Sequence, residues 1–193
     1  MRIFLTGATG HIGSAVLEAL LRAGHQVTAL VRDNEKAARV AARGAYPVLG
    51  NLADPESYRP AADAQDGYIH TAFDRSGKGV AIDRQAIEAL LGAARRPRTS
   101  RAVEKPRFFI YTSGVWVIGR APQPVDESAP LAPIALAQWR VAHDELVLSA
   151  NDAQLRTAVV RPGVVYGGAQ GMPIRELDCR HLRLKREAVS LIP

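Results

Sequence analysis

The chain has 193 residues, 47% of them hydrophobic, which suits one domain with a sizeable core or one domain with a small appendage. Its 25 Lys and Arg outnumber 19 Asp and Glu, and its single cysteine, Cys179, rules out a disulfide within the chain and a cysteine-rich metal site. No run approaches the roughly 18 apolar residues of a membrane span, and Ile3-Phe4-Leu5 is too short for a signal peptide, so no membrane association and a reducing, cytoplasmic setting are expected.

In chain order, Arg2–Thr6 reads as a short strand. From Ile12 the apolar spacing becomes helical, with Ile12, Val16, Ala19, Leu20 and Ala23 on one face and Gly24 as the stop. Gln26–Val31 alternates as a second strand. A helix over 35–42 follows, capped by Asp33 or Asn34 and stopped by Gly44. Tyr46–Leu49 is a third strand, Asp54 caps a short helix toward Ala62, and 68–72 is a fourth strand. Ile82, Ala86, Ala89, Leu90 and Ala93 predict a long helix over 80–94. Arg107–Thr112 is a fifth strand, 134–150 a further helix and 157–160 a sixth strand. This unbroken alternation implies an α/β fold, a doubly wound parallel sheet covered on both faces. Two irregular stretches remain, a basic loop over 97–106 and a proline-rich one over 119–133. Much of the positive excess lies from Arg95 to Arg107. No aromatic residue is interleaved before Phe108, so nucleic acid is not an expected partner.

The first turn carries the sharpest signal, Thr6-Gly7-Ala8-Thr9-Gly10-His11-Ile12-Gly13. A dinucleotide pyrophosphate must come within hydrogen-bonding reach of backbone N–H groups, and a Cβ at the near positions would block it. Gly13 would let the helix pack close on the strand. The helix presents its unsatisfied N–H groups and positive dipole end to the same point. Strand, glycine loop and helix in this order imply a Rossmann-type dinucleotide site, with Gly7, Thr9, Gly10, His11, Ile12 and Gly13 at the phosphates. The second strand ends in Val31-Arg32-Asp33. NAD-selective folds place an acid there for the ribose hydroxyls. Arg32 takes that place here and suits a 2′-phosphate, so NADP is expected in preference to NAD. The plainer reading of Arg32 is a solvated strand-end cation.

Further motifs follow in order: Gly50-Asn51-Leu52, His70-Thr71-Ala72, Tyr111-Thr112-Ser113-Gly114, Asp126-Glu127 and Arg161-Pro162-Gly163-Val164-Val165-Tyr166-Gly167. With the glycine loop, this series resembles the extended short-chain dehydrogenase/reductase superfamily, and within it the NAD-dependent epimerase/dehydratase group. The resemblance implies Asn51 and Leu52 at the adenine, Thr71 and Ala72 beside the cofactor, and Arg161, Pro162, Gly163 and Val164 near the nicotinamide. It also implies an NAD(P)-binding oxidoreductase or epimerase/dehydratase acting on a small carbonyl, alcohol or sugar.

The expected Tyr-x-x-x-Lys pair, whose phenol exchanges a proton with substrate, is absent. Counting back from Glu145 gives Ala137 and Val141. Counting from the fifth-strand motif gives Trp139 and His143. Two candidates for catalysis remain. Ser113 could hold a substrate carbonyl, or bond backbone or cofactor amide, with Gly114 as the other reading of the hydroxyl position. His143 could act as an acid/base, or be an exposed helix histidine. Trp139 and Tyr111 read as packing or pocket wall, Tyr166 as a possible lining of the nicotinamide pocket, and Asp126 and Glu127 as a solvated loop pair. His11 and His181 have no companions at ligand spacing, so no metal is expected.

The expected division is a dinucleotide-binding domain over 1–168 and a short basic tail over 169–193. The tail carries Arg175, Arg180, Arg183, Lys185 and Arg186, where members of the superfamily continue into most of a substrate domain. A shallow or partner-completed substrate pocket and a homo-oligomer follow as expectations. The alternative to an active enzyme is a non-catalytic NADP(H)-binding sensor or subunit, or a truncated paralogue with little activity.

Overall fold

The structure is a computed structural model that describes residues 1–97 and 105–166. The centre of the basic loop, the basic tail, Cys179 and His181 lie outside the described residues. The chain divides into two units, Met1–Gly163 and Val164–Pro193, and every described helix and strand belongs to the first.

That first unit is built on a six-stranded sheet of order β3-β2-β1-β4-β5-β6. Its strands are β1 (Arg2–Thr6), β2 (Gln26–Val31), β3 (Tyr46–Leu49), β4 (Gly67–His70), β5 (Arg107–Thr112) and β6 (Leu155–Val160). Neighbours pair in parallel, with Leu5 of β1 opposite both Ala29 of β2 and Ile69 of β4. The helices are α1 (His11–Arg22), α2 (Asn34–Ala41), α3 (Arg59–Asp63), α4 (Gly79–Arg95) and α5 (Gln138–Ser149).

Strand alternation sorts the core into two layers. Ile3, Leu5, Val27, Ala29 and Ile69 pack with Leu17 of α1 and Val40 of α2. Phe4, Tyr68, Phe109 and Tyr111 turn to the other face, against Ile87 and Leu90 of α4 and Val147 of α5. Burying each large apolar side chain contributes about 1.5–3 kcal/mol, and both faces of the sheet are covered as the element order implied.

Several local expectations shift. Leu17 and Gly13 are the buried residues of α1, with Val16, Leu20 and Leu21 packed beside them, whereas Ala19 and Ala23 are exposed. Asp33, not Asn34, caps α2, its carboxylate accepting from the Lys36 N–H at 2.8 Å. The short helix after Asp54 is split into a 3-10 turn, Pro55–Ser57, and α3. Strand β4 stops at His70, because the Thr71 hydroxyl turns back to donate to the Thr6 carbonyl at 2.8 Å. Arg107, at the end of the basic segment, has a structural place. It is buried and donates to the Gln65 carbonyl at 3.1 Å and to Ala94 and Arg96 carbonyls at 2.9 and 2.5 Å, which closes the C-terminal end of α4.

Candidate functional site

A cleft of about 530 Å³ opens at the C-terminal ends of β1, β2, β4 and β5. Strand order reverses between β1 and β4, the switch point where ligands bind in open parallel sheets.

The glycine loop forms one wall. Gly7, Thr9, Gly10, His11, Ile12 and Gly13 all line the cleft. Gly7 adopts φ of 75°, a left-handed conformation, and a Cβ there would lie 2.7 Å from the Ala72 nitrogen and the Thr71 hydroxyl. A Cβ on Gly13 would lie 2.1 Å from the Gly7 carbonyl. The Gly10 N–H donates back to that carbonyl at 2.8 Å, which fixes the turn. Helix α1 then starts with Gly10 as its cap, no side-chain cap bond and no acid in its first turn. Its free N–H groups and positive end meet no protein anion there among the described residues, which suits a pyrophosphate. The buried Nε2 of His11 also has no partner among the described residues.

At the other end Arg32, Lys36 and Asn51 come together with Leu52. Arg32 is exposed and makes no ion pair among the described residues. Asp33 is committed elsewhere. Its carboxylate caps α2 and pairs with the Lys36 ammonium, and these bonds hold it below the ordinary carboxylate range. Asn51 folds into a turn, its side-chain oxygen accepting from the Ala53 N–H at 3.0 Å, while Leu52 is buried. Thr71 and Ala72 lie on the cleft wall next to Gly7.

A buried polar network that the motifs did not foretell meets the cleft at Asp83, one of its lining residues. The carboxylate of Asp83, from α4, is 1% exposed. It accepts from the Tyr111 hydroxyl at 2.7 Å, from His143 Nδ1 at 2.8 Å and from His70 Nε2 at 3.2 Å. A carboxylate only accepts, so both rings donate to it, and His70 Nδ1 is also hydrogen-bonded with the Thr6 hydroxyl at 2.6 Å. Burial would raise the Asp83 pKa. The bonds from His143 and His70, with Tyr111, outweigh it and hold the carboxyl well below its usual range. Burial and the Asp83 charge push the Tyr111 phenol far above its ordinary range, so it stays protonated.

This network changes the place of two residues singled out by their motifs. Tyr111 is a hydrogen-bonded member of it rather than plain packing. His143 is neither an exposed helix residue nor on the cleft wall: it is 3% exposed, bonded to Asp83 and packed edge-on to Trp139. Ser113 does line the cleft, and its buried Oγ has no partner among the described residues. The α5 residue that reaches the cleft is Arg140, which neither count selected. Its guanidinium stacks on Trp139 at 4.3 Å, and Trp139 in turn stacks on Phe73.

The sixth-strand motif follows β6 directly. Arg161 donates to Asp144 at 3.0 Å, the Pro162 carbonyl accepts from the Val115 N–H at 3.0 Å, and a Cβ on Gly163 would meet nothing within 4 Å. None of them lines the cleft. Val164 belongs to the second unit, with Tyr166. Asp126 accepts from the Ser128 N–H and hydroxyl in an exposed turn. No sequence signal selected Arg140; in the structure Asp144, one helical turn on, accepts from Arg161 of the sixth-strand motif. Asp83 had no signal either, since an acid in an amphipathic helix reads as solvent-facing.

The profile of a family described as NAD(P)H-binding matches residues 7–181. A ketoreductase of Stigmatella aurantiaca, for 4-hydroxy-2-methyl-3-oxo-4-farnesyl-3,4-dihydroquinoline-1-oxide, is 35% identical over 86% of this chain and 51% of its own length. The 2-alkyl-3-oxoalkanoate reductase of Stenotrophomonas maltophilia is 30% identical over 86% of this chain and 52% of its own. The chain thus spans about half the length of these curated relatives. Among solved structures, the UDP-glucuronic acid 4-epimerase of Bacillus cereus, in complex with UDP-glucuronic acid and NAD, superposes with a TM-score of 0.71 at 18% identity, over 89% of this chain and 59% of that one. A short-chain dehydrogenase/reductase superfamily protein of Agrobacterium tumefaciens with bound NAD gives a TM-score of 0.63 at 22% identity, over 83% and 48%. The chain therefore belongs to the NAD(P)H-binding family.

Proposed function

We propose that this chain is the cofactor-binding part of an NADP(H)-dependent oxidoreductase that interconverts a small ketone and its alcohol. The observation that carries the cofactor choice is the division of labour at the end of β2. Arg32 faces the cleft without an ion pair among the described residues, while Asp33, the acid able to accept ribose hydroxyls, is tied to the α2 cap and Lys36. A guanidinium there favours a 2′-phosphate. The reductase direction draws support from the two relatives named for reducing ketones.

When bound, the nicotinamide supplies hydride exchange. The chain's own part is to hold the dinucleotide on the glycine loop and to present the Ser113 hydroxyl as a hydrogen-bond donor to the substrate oxygen.

The test follows NADPH absorbance over a panel of ketones, in the wild type and in Arg32→Ala. Turnover with at least one ketone is expected, faster with NADPH than with NADH. The substitution should erase that preference, a change of roughly ten- to a hundredfold for one charged hydrogen-bonded contact. Unchanged selectivity would make Arg32 a surface cation. Tight cofactor binding with no turnover would leave a dinucleotide-binding protein without this chemistry.

A further inference from the structure

We infer that His70 is a positioning residue for dinucleotide binding, one that holds the glycine loop in shape through the Thr6 hydroxyl; this rests on the reading of that loop as the NADP(H) site. Thr6 and His70 are the last residues of β1 and β4, and they are register partners across the point where strand order reverses. Both are buried. Thr6 lines the cleft, whereas His70 lies outside its lining among the described residues. Phe4 and Tyr68, two residues earlier on each strand, face α4, and strand alternation turns Thr6 and His70 the same way. There the His70 ring is held from behind. Its Nε2 donates to Asp83 at 3.2 Å, and it stacks on Tyr111 with ring centres 5.8 Å apart. Asp83 is fixed in turn by Tyr111 at 2.7 Å and His143 at 2.8 Å. In front, His70 Nδ1 is hydrogen-bonded with the Thr6 hydroxyl at 2.6 Å.

Thr6 is where the two walls of the cleft are pinned together. Its hydroxyl oxygen also accepts from the Ala72 N–H at 3.4 Å, and its carbonyl accepts from the Thr71 hydroxyl at 2.8 Å. The spacing has little slack. A Cβ on Gly7, the next residue, would lie 2.7 Å from the Ala72 nitrogen and the Thr71 hydroxyl. A threonine side chain is stiff at χ1, so the bond from His70 selects the rotamer that meets Ala72. That sets where the glycine loop leaves β1. Backbone N–H groups bind a phosphate best when they are aimed before it arrives, and supporting hydrogen bonds supply that aim. An apolar pair could fill the same space without desolvating a ring and a hydroxyl. The satisfied polar chain Asp83–His70–Thr6 adds direction, which apolar packing does not.

The decisive measurement is calorimetric titration of NADPH into the full chain, with thermal unfolding of each variant alongside. His70→Phe keeps a ring and loses both bonds, and Thr6→Val removes only the hydroxyl. Each should bind NADPH about five- to tenfold more weakly than wild type. The double variant should bind no worse than the weaker single one, because both changes break the same bond. His70→Asn, whose amide takes the place of Nδ1 toward Thr6, should recover most of the affinity while remaining less stable than wild type. Tyr111→Phe removes a different bond to Asp83 and leaves the His70–Thr6 pair, so its NADPH affinity should stay within about twofold of wild type. A purely structural role predicts lower melting temperatures with NADPH affinity unmoved in every folded variant, and that result would overturn the proposal. So would additive losses in the double variant, or a loss in Tyr111→Phe equal to that in His70→Phe. Should His70→Phe fail to fold, Thr6→Val decides alone, and wild-type affinity in it overturns the proposal. No NADPH binding by the wild type would remove the site reading itself, whereas binding that is indifferent to these variants removes only the role of His70.

Discussion

At the scale of single residues, the site depends on places where one atom decides the outcome. Gly13 is the clearest. A methyl group there would sit 2.1 Å from the Gly7 carbonyl and 2.6 Å from the Thr71 hydroxyl, and the first of these is backbone that cannot yield without moving the loop. Gly13→Ala is expected to cost about 1–3 kcal/mol of stability and to weaken NADPH binding by more than about tenfold, measured by urea unfolding and calorimetry. A variant with wild-type affinity would show that the loop does not cradle the phosphates. Asp83 acts differently. Its folded-state pKa lies below the ordinary value of 3.8, so its stabilisation is complete above that range and is lost as pH falls below it. Wild-type unfolding free energy should therefore drop on acidification through and below pH 3.8, and Asp83→Asn should flatten that drop. At neutral pH the variant should be less stable by about 1–3 kcal/mol for each buried donor left without an acceptor. The same acid slope in both proteins would mean that Asp83 is not the group responsible. The glycines were legible because a close approach demands that residue type. Asp83 was not, because its role exists only where β4, β5 and α5 converge on α4.

Among the elements, the sequence pattern located strands where period and punctuation agreed. Strands β1, β2, β3 and β5 have the expected bounds, since short apolar runs ended by turn residues leave little freedom. The buried face of α1 was not legible, because leucine and alanine occur nearly all around it and tertiary packing chose Leu17 over Ala19. Fixed spacing from neighbouring motifs also failed for α5. The 3-10 turn Ala135–Ala137 precedes that helix, which makes counting from the fifth strand unreliable. The helix is phased instead by Asp144, whose carboxylate takes the Arg161 guanidinium. That phase turns His143 toward Asp83 and Arg140 toward the cleft. Element geometry thus buries His143 against Asp83, where residue type alone left an exposed helix histidine open.

On the scale of the whole molecule, strand order and open cleft make the dinucleotide fold plain, and no described helix is long and apolar enough to cross a membrane. Catalysis was less legible for a physical reason. Cofactor binding is built from backbone and glycines within one βαβ unit, which a linear motif can carry. Substrate choice is built from side chains on separate elements, which no linear motif carries, and the relatives it matches run to about twice this length. The claim on which everything else stands is the binding of NADP(H) at the glycine loop. Calorimetric titration of NADPH and NADH into the same preparation tests it most directly. Saturable one-to-one binding of NADPH, about tenfold or more tighter than NADH, is the result expected from Arg32 at the end of β2. Equal affinity would contradict the NADP preference, and no binding of either would contradict the site itself.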